Sequence, residues 1–450
     1  MTSPSLVWFR DDLRVADNPA LQAALNRGGP VVGLYVLEES DGIRPLGGAA
    51  RWWLHGSLAS LADELRARGS ALVLRRGEPA TVVPAVMAEL GAGAVFWNRR
   101  YGGAERAIDA GIKAAVRANG TEVASFSASL LFEPWTVQTG SGTPYAVFTP
   151  FWRACQNLPA PRAPQPAPDT IPGPSAIPRS DDLAAWELRP AHPDWAEGLA
   201  ELWEPGEPAA TARLAQFLAD DLAAYDRARD EPAAASTARL SPRLRWGELS
   251  PHQVWHAAVQ HREADASRFL SELGWREFAW HTLFHFPDLA TKNWRAEFDA
   301  FPWPRLNRDH LAAWQRGRTG VALVDAGMRE LWRTGFMQNR VRMVTASFLV
   351  KNLLIDWRHG EEWFWDTLVD ADAASNAFNW QWVAGSGADA APYFRIFNPE
   401  RQRDRFDPHA EYIRRWAPEH LAADPPAPIV DLADTRRQAL DAYDAVTRAR

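Results

Sequence analysis

Three runs of the 450-residue sequence hold residues whose types and spacing suit chemistry. The first is Asn339-Arg340-Val341-Arg342-Met343, which opens an apolar stretch reaching Leu354. Asn339 and Arg342 lie three apart and share one face of a helix. An ordinary helix start with surface arginines fits the same run. The second run is Asp370 to Trp382, with Asp370, Asp372, Asn376, Asn379, Trp380 and Trp382 within thirteen residues. Such a segment makes a poor core and a good cradle. Carboxylates accept hydrogen bonds from sugar hydroxyls or a ring amine, and an amide can face a ring nitrogen in either protonation state. A polar helix end with two packing tryptophans also fits. The third run is Ser236-Thr237-Ala238-Arg239-Leu240-Ser241. Hydroxyls, an arginine and backbone N–H groups at a helix start suit a pyrophosphate, and equally a plain N-cap cluster.

Composition narrows what these runs can serve. Tryptophan occurs 23 times, about 5% of the chain. Most of these rings belong to packing, but indole is also the side chain best suited to carry an electron hole, given a redox cofactor nearby. Cys155 is the only cysteine, which excludes an internal disulfide, a Cys-rich zinc site and a four-cysteine iron–sulfur cluster. The 11 histidines form no HExxH or HxH pattern, so no metal is expected. Net charge is −7, against a generally basic surface, although 46 of the 49 Lys and Arg residues are arginine and suit local bidentate phosphate contacts. No apolar stretch approaches a membrane span, and the N-terminus lacks a signal-peptide pattern, so a cytosolic protein is expected.

The elements that must position these runs fall into two halves. Strand-like runs at Leu6–Phe9, Val31–Leu37, Ala71–Leu74, Ala94–Trp97 and Glu122–Phe126 alternate with helix-like stretches such as Gly48–Arg68 and Thr81–Leu90. This predicts a doubly wound, Rossmann-like parallel sheet over residues 1–135. No GxGxxG follows the first strand, and Gly102-Gly103 alone is a weak signal. Eight prolines within 159–178 predict an extended surface linker, bounded here as 136–205. Periodic apolar residues in Ala212–Tyr225, His252–Arg262, Ser267–Thr282, Val324–Arg333, Val341–Leu354 and Glu361–Leu368 predict an all-α domain over 206–450.

The opening Leu6-Val7-Trp8-Phe9-Arg10-Asp11-Asp12-Leu13-Arg14-Val15-Ala16-Asp17-Asn18-Pro19-Ala20-Leu21 resembles the signature of the DNA photolyase/cryptochrome family. The resemblance continues through Thr237–Ser241, Glu272–Phe278, Gly320–Met328, Asn339–Asp356 and Trp380–Pro399, in order and with similar spacing. It implies light-dependent repair of cyclobutane pyrimidine dimers in DNA by an electron from excited reduced FAD. The alternative is a cryptochrome-like blue-light sensor that signals through a partner; the short chain after Asn398 favours the enzyme. Damaged DNA is the implied partner, with no membrane and no required protein partner.

Residue by residue, the resemblance implies that Tyr225, Thr237, Ala238, Arg239, Leu240, Ser241 and Phe269 line the phosphate and ribityl part of the FAD site. Asp370, Ala371 and Asp372 would hold the adenosine half and flavin edge, with Arg342 paired to Asp370. Asn376 would face flavin N5, where photolyases carry Asn and plant cryptochromes Asp. Ala238 and Phe269 depart from commoner family residues. Trp275 and Trp382 would sandwich the extruded dimer, Glu272 and Asn339 would hydrogen-bond it, and Met343 would pack below. Relatives acting on (6-4) photoproducts carry His where Asn339 and Met343 stand. Arg229, Arg276, Arg340, Arg395 and Arg401 would contact phosphates. Trp380, Trp357 and Trp303 would relay electrons during photoreduction, with the spacing from Trp303 to Trp314 one residue longer than usual. An antenna chromophore, folate or deazaflavin, is expected in the α/β domain. Arg51–His55, Glu105 and Arg106 are candidate contacts, and Ala104 stands where Asn is expected. The pattern points to a bacterial class I or class III enzyme.

Overall fold

The computed structural model describes residues 2–234, 236–261, 264–390 and 394–448. Arg262, which ends one expected helix, lies outside the described residues, as does part of the Trp380–Pro399 match. Five strands form one parallel sheet: β1 Ser5–Phe9, β2 Val31–Glu38, β3 Leu72–Gly77, β4 Ala94–Asn98 and β5 Glu122–Phe126, in the order β3-β2-β1-β4-β5. β1, β2 and β4 are buried almost throughout, as a parallel sheet covered on both faces requires. The crossovers are helices α1 Pro19–Asn26, α2 Gly48–Ala67, α3 Pro79–Leu90 and α4 Gly103–Ala118. α3 starts two residues before the expected Thr81, because Pro79 takes the first helical position, where its missing N–H costs nothing.

The segment expected to be a linker holds more structure than its prolines suggest. α5, Phe148–Gln156, buries Phe148, Phe151, Trp152 and Cys155 on one face. The proline-rich stretch beyond it has neither helix nor strand and lies against the sheet domain. Ile171 N–H donates to Arg68 O (2.8 Å) and Val31 N–H to Pro172 O (2.7 Å).

The remainder is helical. The elements that matter for the site are α6 Pro251–Gln260, α7 Ser267–His285, α8 Ala322–Thr334, α9 Asn339–Ser347, α10 Trp357–Thr367, α11 Ser375–Ala384 and α12 Pro399–Phe406. The expected helix Val341–Leu354 is α-helical only to Ser347; the backbone widens to a π-turn over Phe348–Asn352. Gln338 caps α9 by accepting from Val341 N–H (3.2 Å), which fixes where Asn339 stands.

Buried polar contacts lock the two halves together. Arg14 reaches Gly247 O (2.8 Å), and the Glu207 carboxylate accepts from Val15 N–H (2.7 Å) and Ala16 N–H (2.9 Å). Glu248 accepts from Trp53 Nε1 (2.9 Å) and pairs with Arg243 (2.8 Å). Gly247 has φ +65°, and a Cβ there would run into the Asp11 backbone. Only glycine allows the sheet and helical domains this close.

Candidate active site

One cavity of about 490 Å³ opens among α7, α9, α11 and the loops 225–241 and 368–375. Its lining includes Tyr225, Thr237, Ala238, Arg239, Leu240, Ser241, Phe269, Arg342, Asp370, Ala371, Asp372 and Asn376. Arg229, Glu272, Trp275, Arg276, Asn339, Arg340, Met343, Trp380 and Trp382 line the same cavity. Residues drawn from three separate sequence runs thus share one space. Trp357, Trp303, Arg395 and Glu105 lie outside its lining. Glu105 borders a separate hollow of about 30 Å³.

The cavity walls are held by charge-assisted bonds. Arg342 grips Asp370 with both nitrogens (3.1 and 2.8 Å), and Ser241 Oγ donates to the same carboxylate (2.6 Å). A bidentate fork of this kind fixes direction as well as distance. Asp372 accepts from Ala374 N–H (2.9 Å) and Ser375 N–H (2.6 Å), which starts α11 and sets Asn376 one residue inside it. Arg213 shapes the phosphate-type loop from below, donating to Ala238 O (3.0 Å) and Thr237 O (2.9 Å).

Asn376 is committed more tightly than sequence suggests. Its Nδ2 donates to Glu361 O (2.9 Å) and Glu361 Oε1 (2.8 Å). Both amide hydrogens are spent, so the oxygen alone is left to meet a ligand. The side chain therefore offers an acceptor, not the choice of either end. Glu361 is itself held by Arg44 of the sheet domain at 2.7 Å. Neither Glu361 nor Arg44 was singled out in the sequence; their partners are 15 and 317 residues away, beyond the reach of local pattern.

The site also has unused polar capacity. Ser236 Oγ and Arg239 Nε are buried and make no hydrogen bond to the described protein atoms. Burial draws the Arg239 guanidinium below the usual arginine range, with Glu330 as its main electrostatic counterweight. Arg239 is held at φ +52°. A buried guanidinium N–H without a hydrogen-bond acceptor is costly unless an anion arrives, so this loop fits the pyrophosphate of FAD. The acceptor at Asn376 and the carboxylates of Asp370 and Asp372 fit its flavin and sugar.

The mouth of the cavity differs from its interior. Trp275 and Trp382 line it beside Asn339, whose amide lies 3.9 Å from Met343 Sδ one helical turn on. Arg395 stacks over Trp382 at 4.9 Å. Three of the arginines expected at phosphates have side chains engaged with protein. Arg229 is buried, forms an ion pair with Glu272 and packs over the Tyr225 ring at 5.5 Å. Arg276 donates to Ser129 O (2.9 Å) and to Glu277 (3.2 Å). Arg340 pairs with Asp230 at 2.6 Å, and Arg401 N–H caps α12 through Asn398 (2.9 Å).

Trp380 and Trp357 are both buried in the helical core, and Trp303 packs against that core from its rim. Trp380 meets Phe364 at 4.9 Å and Trp314 at 6.1 Å. A Cβ at Gly360 would collide with the outer edge of the Trp380 indole, so this glycine lets the ring approach α10 closely. Trp357 Nε1 donates to Asn293 Oδ1 at 3.0 Å, a partner the sequence reading missed.

Comparison with known proteins agrees with this architecture. Residues 5–169 match the family model for DNA photolyase, and residues 269–425 match the FAD binding domain of DNA photolyase. A deoxyribodipyrimidine photo-lyase of Agrobacterium fabrum is 48% identical, over 99% of each chain. Cryptochrome-1 of Arabidopsis thaliana is 38% identical over 92% of this chain and 63% of its own. The crystal structure of a bacterial class III photolyase from Agrobacterium tumefaciens superposes with TM-score 0.96 at 48% identity, covering 100% of this chain and 98% of that one. On the strength of both family models and these full-length relatives, the chain belongs to the DNA photolyase/cryptochrome family.

Proposed function

We propose that this chain repairs cyclobutane pyrimidine dimers in DNA under light, with FAD in the depth of the cavity and the extruded dimer at its mouth. Bound FAD, in its reduced form, supplies on light absorption the electron that splits the dimer. The chain's residues bind, orient and shield. Arg239 and the 236–241 loop neutralise the pyrophosphate, while Asp370, fixed by Arg342 and Ser241, and Asp372 hold the sugar and ring edge. The Asn376 oxygen accepts from N5–H, favouring the reduced form, and Glu361 prevents the amide from turning over.

At the mouth, the Trp275 and Trp382 rings take the dimer between them, replacing the stacking it loses on leaving the duplex. Photolyases are among the enzymes that extrude their target in this way. Asn339 bonds the pyrimidine edge, and Met343 fills the space below without offering a proton. Glu272 meets the dimer where negative charge arrives, and Arg229 offsets the carboxylate's own charge there. This gives Arg229 a role beside Glu272 in place of a phosphate contact. Arg395 and Arg401 stay as the phosphate-facing set, with Arg276 and Arg340 held by protein partners, and the set makes DNA affinity fall with salt. Trp380, Trp357 and Trp303 serve to recharge FAD from the surface. The working environment is bacterial DNA in the cytoplasm.

The observation that carries the reading is the junction of the two halves: an acceptor-only Asn376 and an anion-seeking loop open into the same cavity as two tryptophans and an amide–thioether pair. Competing substrates separate the options. Reduced protein under blue light should clear a cyclobutane dimer from an oligonucleotide, leave a (6-4) photoproduct intact, and do neither in the dark. Loss of the (6-4) lesion, or of neither lesion in light, would overturn it.

A further inference from the structure

The ring of Phe148 lies on the Trp275 indole with centroids 3.8 Å apart and planes 11° from parallel. Trp152 continues the stack, 6.3 Å beyond Phe148 and 12° from parallel. Trp255 closes it edge-on at 6.0 Å. Trp275 lines the cavity and Phe148 does not. The stack therefore backs one face of Trp275 and leaves its other side to the cavity. α7 is shaped for this contact: an added Cβ at Gly274 would meet the Trp152 ring at 2.6 Å.

The root of the stack is tied to the segment that follows α11. Asp389 follows α11, which carries Trp382, and its N–H donates to Ala146 O (3.1 Å). Its carboxylate accepts from Phe148 N–H (3.4 Å). The start of α5 thus contacts both Trp275 and the segment after α11, the helix that carries Trp382.

We infer that Phe148, on a helix outside the family's cofactor and lesion motifs, is a positioning residue that fixes the plane of Trp275 for stacking on the dimer. The inference rests on the reading of Trp275 as a lesion wall. An indole stacked from behind cannot turn its face away, so less freedom is lost when the dimer arrives. Aromatic pairing of this kind is worth about a three- to tenfold effect on an equilibrium.

The test measures the affinity of FAD-loaded protein for dimer-containing and undamaged oligonucleotides. Phe148→Leu should weaken dimer binding about three- to tenfold, with turnover at saturating dimer, FAD content and affinity for undamaged DNA within twofold. Phe148→Tyr, which keeps the ring, should restore dimer affinity. In a Trp275→Ala background, Phe148→Leu should have no further effect. Unchanged dimer affinity in Phe148→Leu, equal losses for damaged and undamaged DNA, or additive losses in the double variant would each overturn the inference. Unchanged affinity in Trp275→Ala alone would instead overturn the reading of Trp275 as a wall.

Discussion

At the scale of single residues, the site depends on groups with no freedom to choose a partner. Asn376 is the sharpest case, because Glu361 consumes its donor half. Replacing it with Asp would face one carboxylate with another and remove the neutral acceptor. The Asn376→Asp variant should hold FAD at a midpoint potential lower than the parent, measured by spectroelectrochemistry; an unchanged potential would contradict the role given to the amide. Asp370 is the second case. Asp370→Asn keeps the shape but discards the charge that Arg342 grips with two bonds. Charged hydrogen bonds are each worth about 1.5–3 kcal/mol, so FAD affinity should drop at least tenfold in equilibrium dialysis. The residue types at this site were readable in the sequence. Their orientation was not, because Arg44, Glu361 and Asn293 come from distant segments.

At the scale of elements, the fold supplies surfaces that rings can approach closely. α10 presents Gly360 to Trp380, and α5 presents a stack to α7. Trp380→Phe should abolish photoreduction of oxidised protein while chemically reduced protein still repairs, as followed by flavin absorbance and dimer loss; normal photoreduction would remove Trp380 from the relay. The strands of the sheet were legible because parallel, doubly covered strands are continuous apolar runs. α5 was lost among the prolines that follow it, yet Phe148, Phe151, Trp152 and Cys155 stand at i, i+3, i+4 and i+7, the spacing of a buried helical face. The π-turn at Phe348–Asn352 left no such pattern, since it interrupts a stretch whose apolar character continues.

At the scale of the whole molecule, the two domains meet through buried polar groups, and these set the pH response. Glu277 accepts from Leu131 and Phe132 N–H, yet burial raises its carboxyl to about 7 against the lowering pull of Arg276. A carboxyl raised on folding stabilises the native state below its ordinary value of 4.5, and that contribution is lost as pH climbs to about 7. Relative to the parent, Glu277→Gln should therefore gain melting temperature as pH rises from 5 to about 8. A pH-independent difference would show that Glu277 does not titrate in this range. Domain order and class followed from the sequence alone, but the junction did not. Gly247 against Asp11 and Glu207 against Val15 join residues more than 190 apart.

The central claim is that light drives an electron from FAD to a dimer held in the same cavity. Its most direct test is the fluorescence lifetime of the reduced flavin in the loaded protein, with and without substrate. An oligonucleotide carrying a cyclobutane dimer should shorten that lifetime, and the undamaged oligonucleotide should not. Equal lifetimes with the two oligonucleotides, under conditions where both are bound, would contradict it.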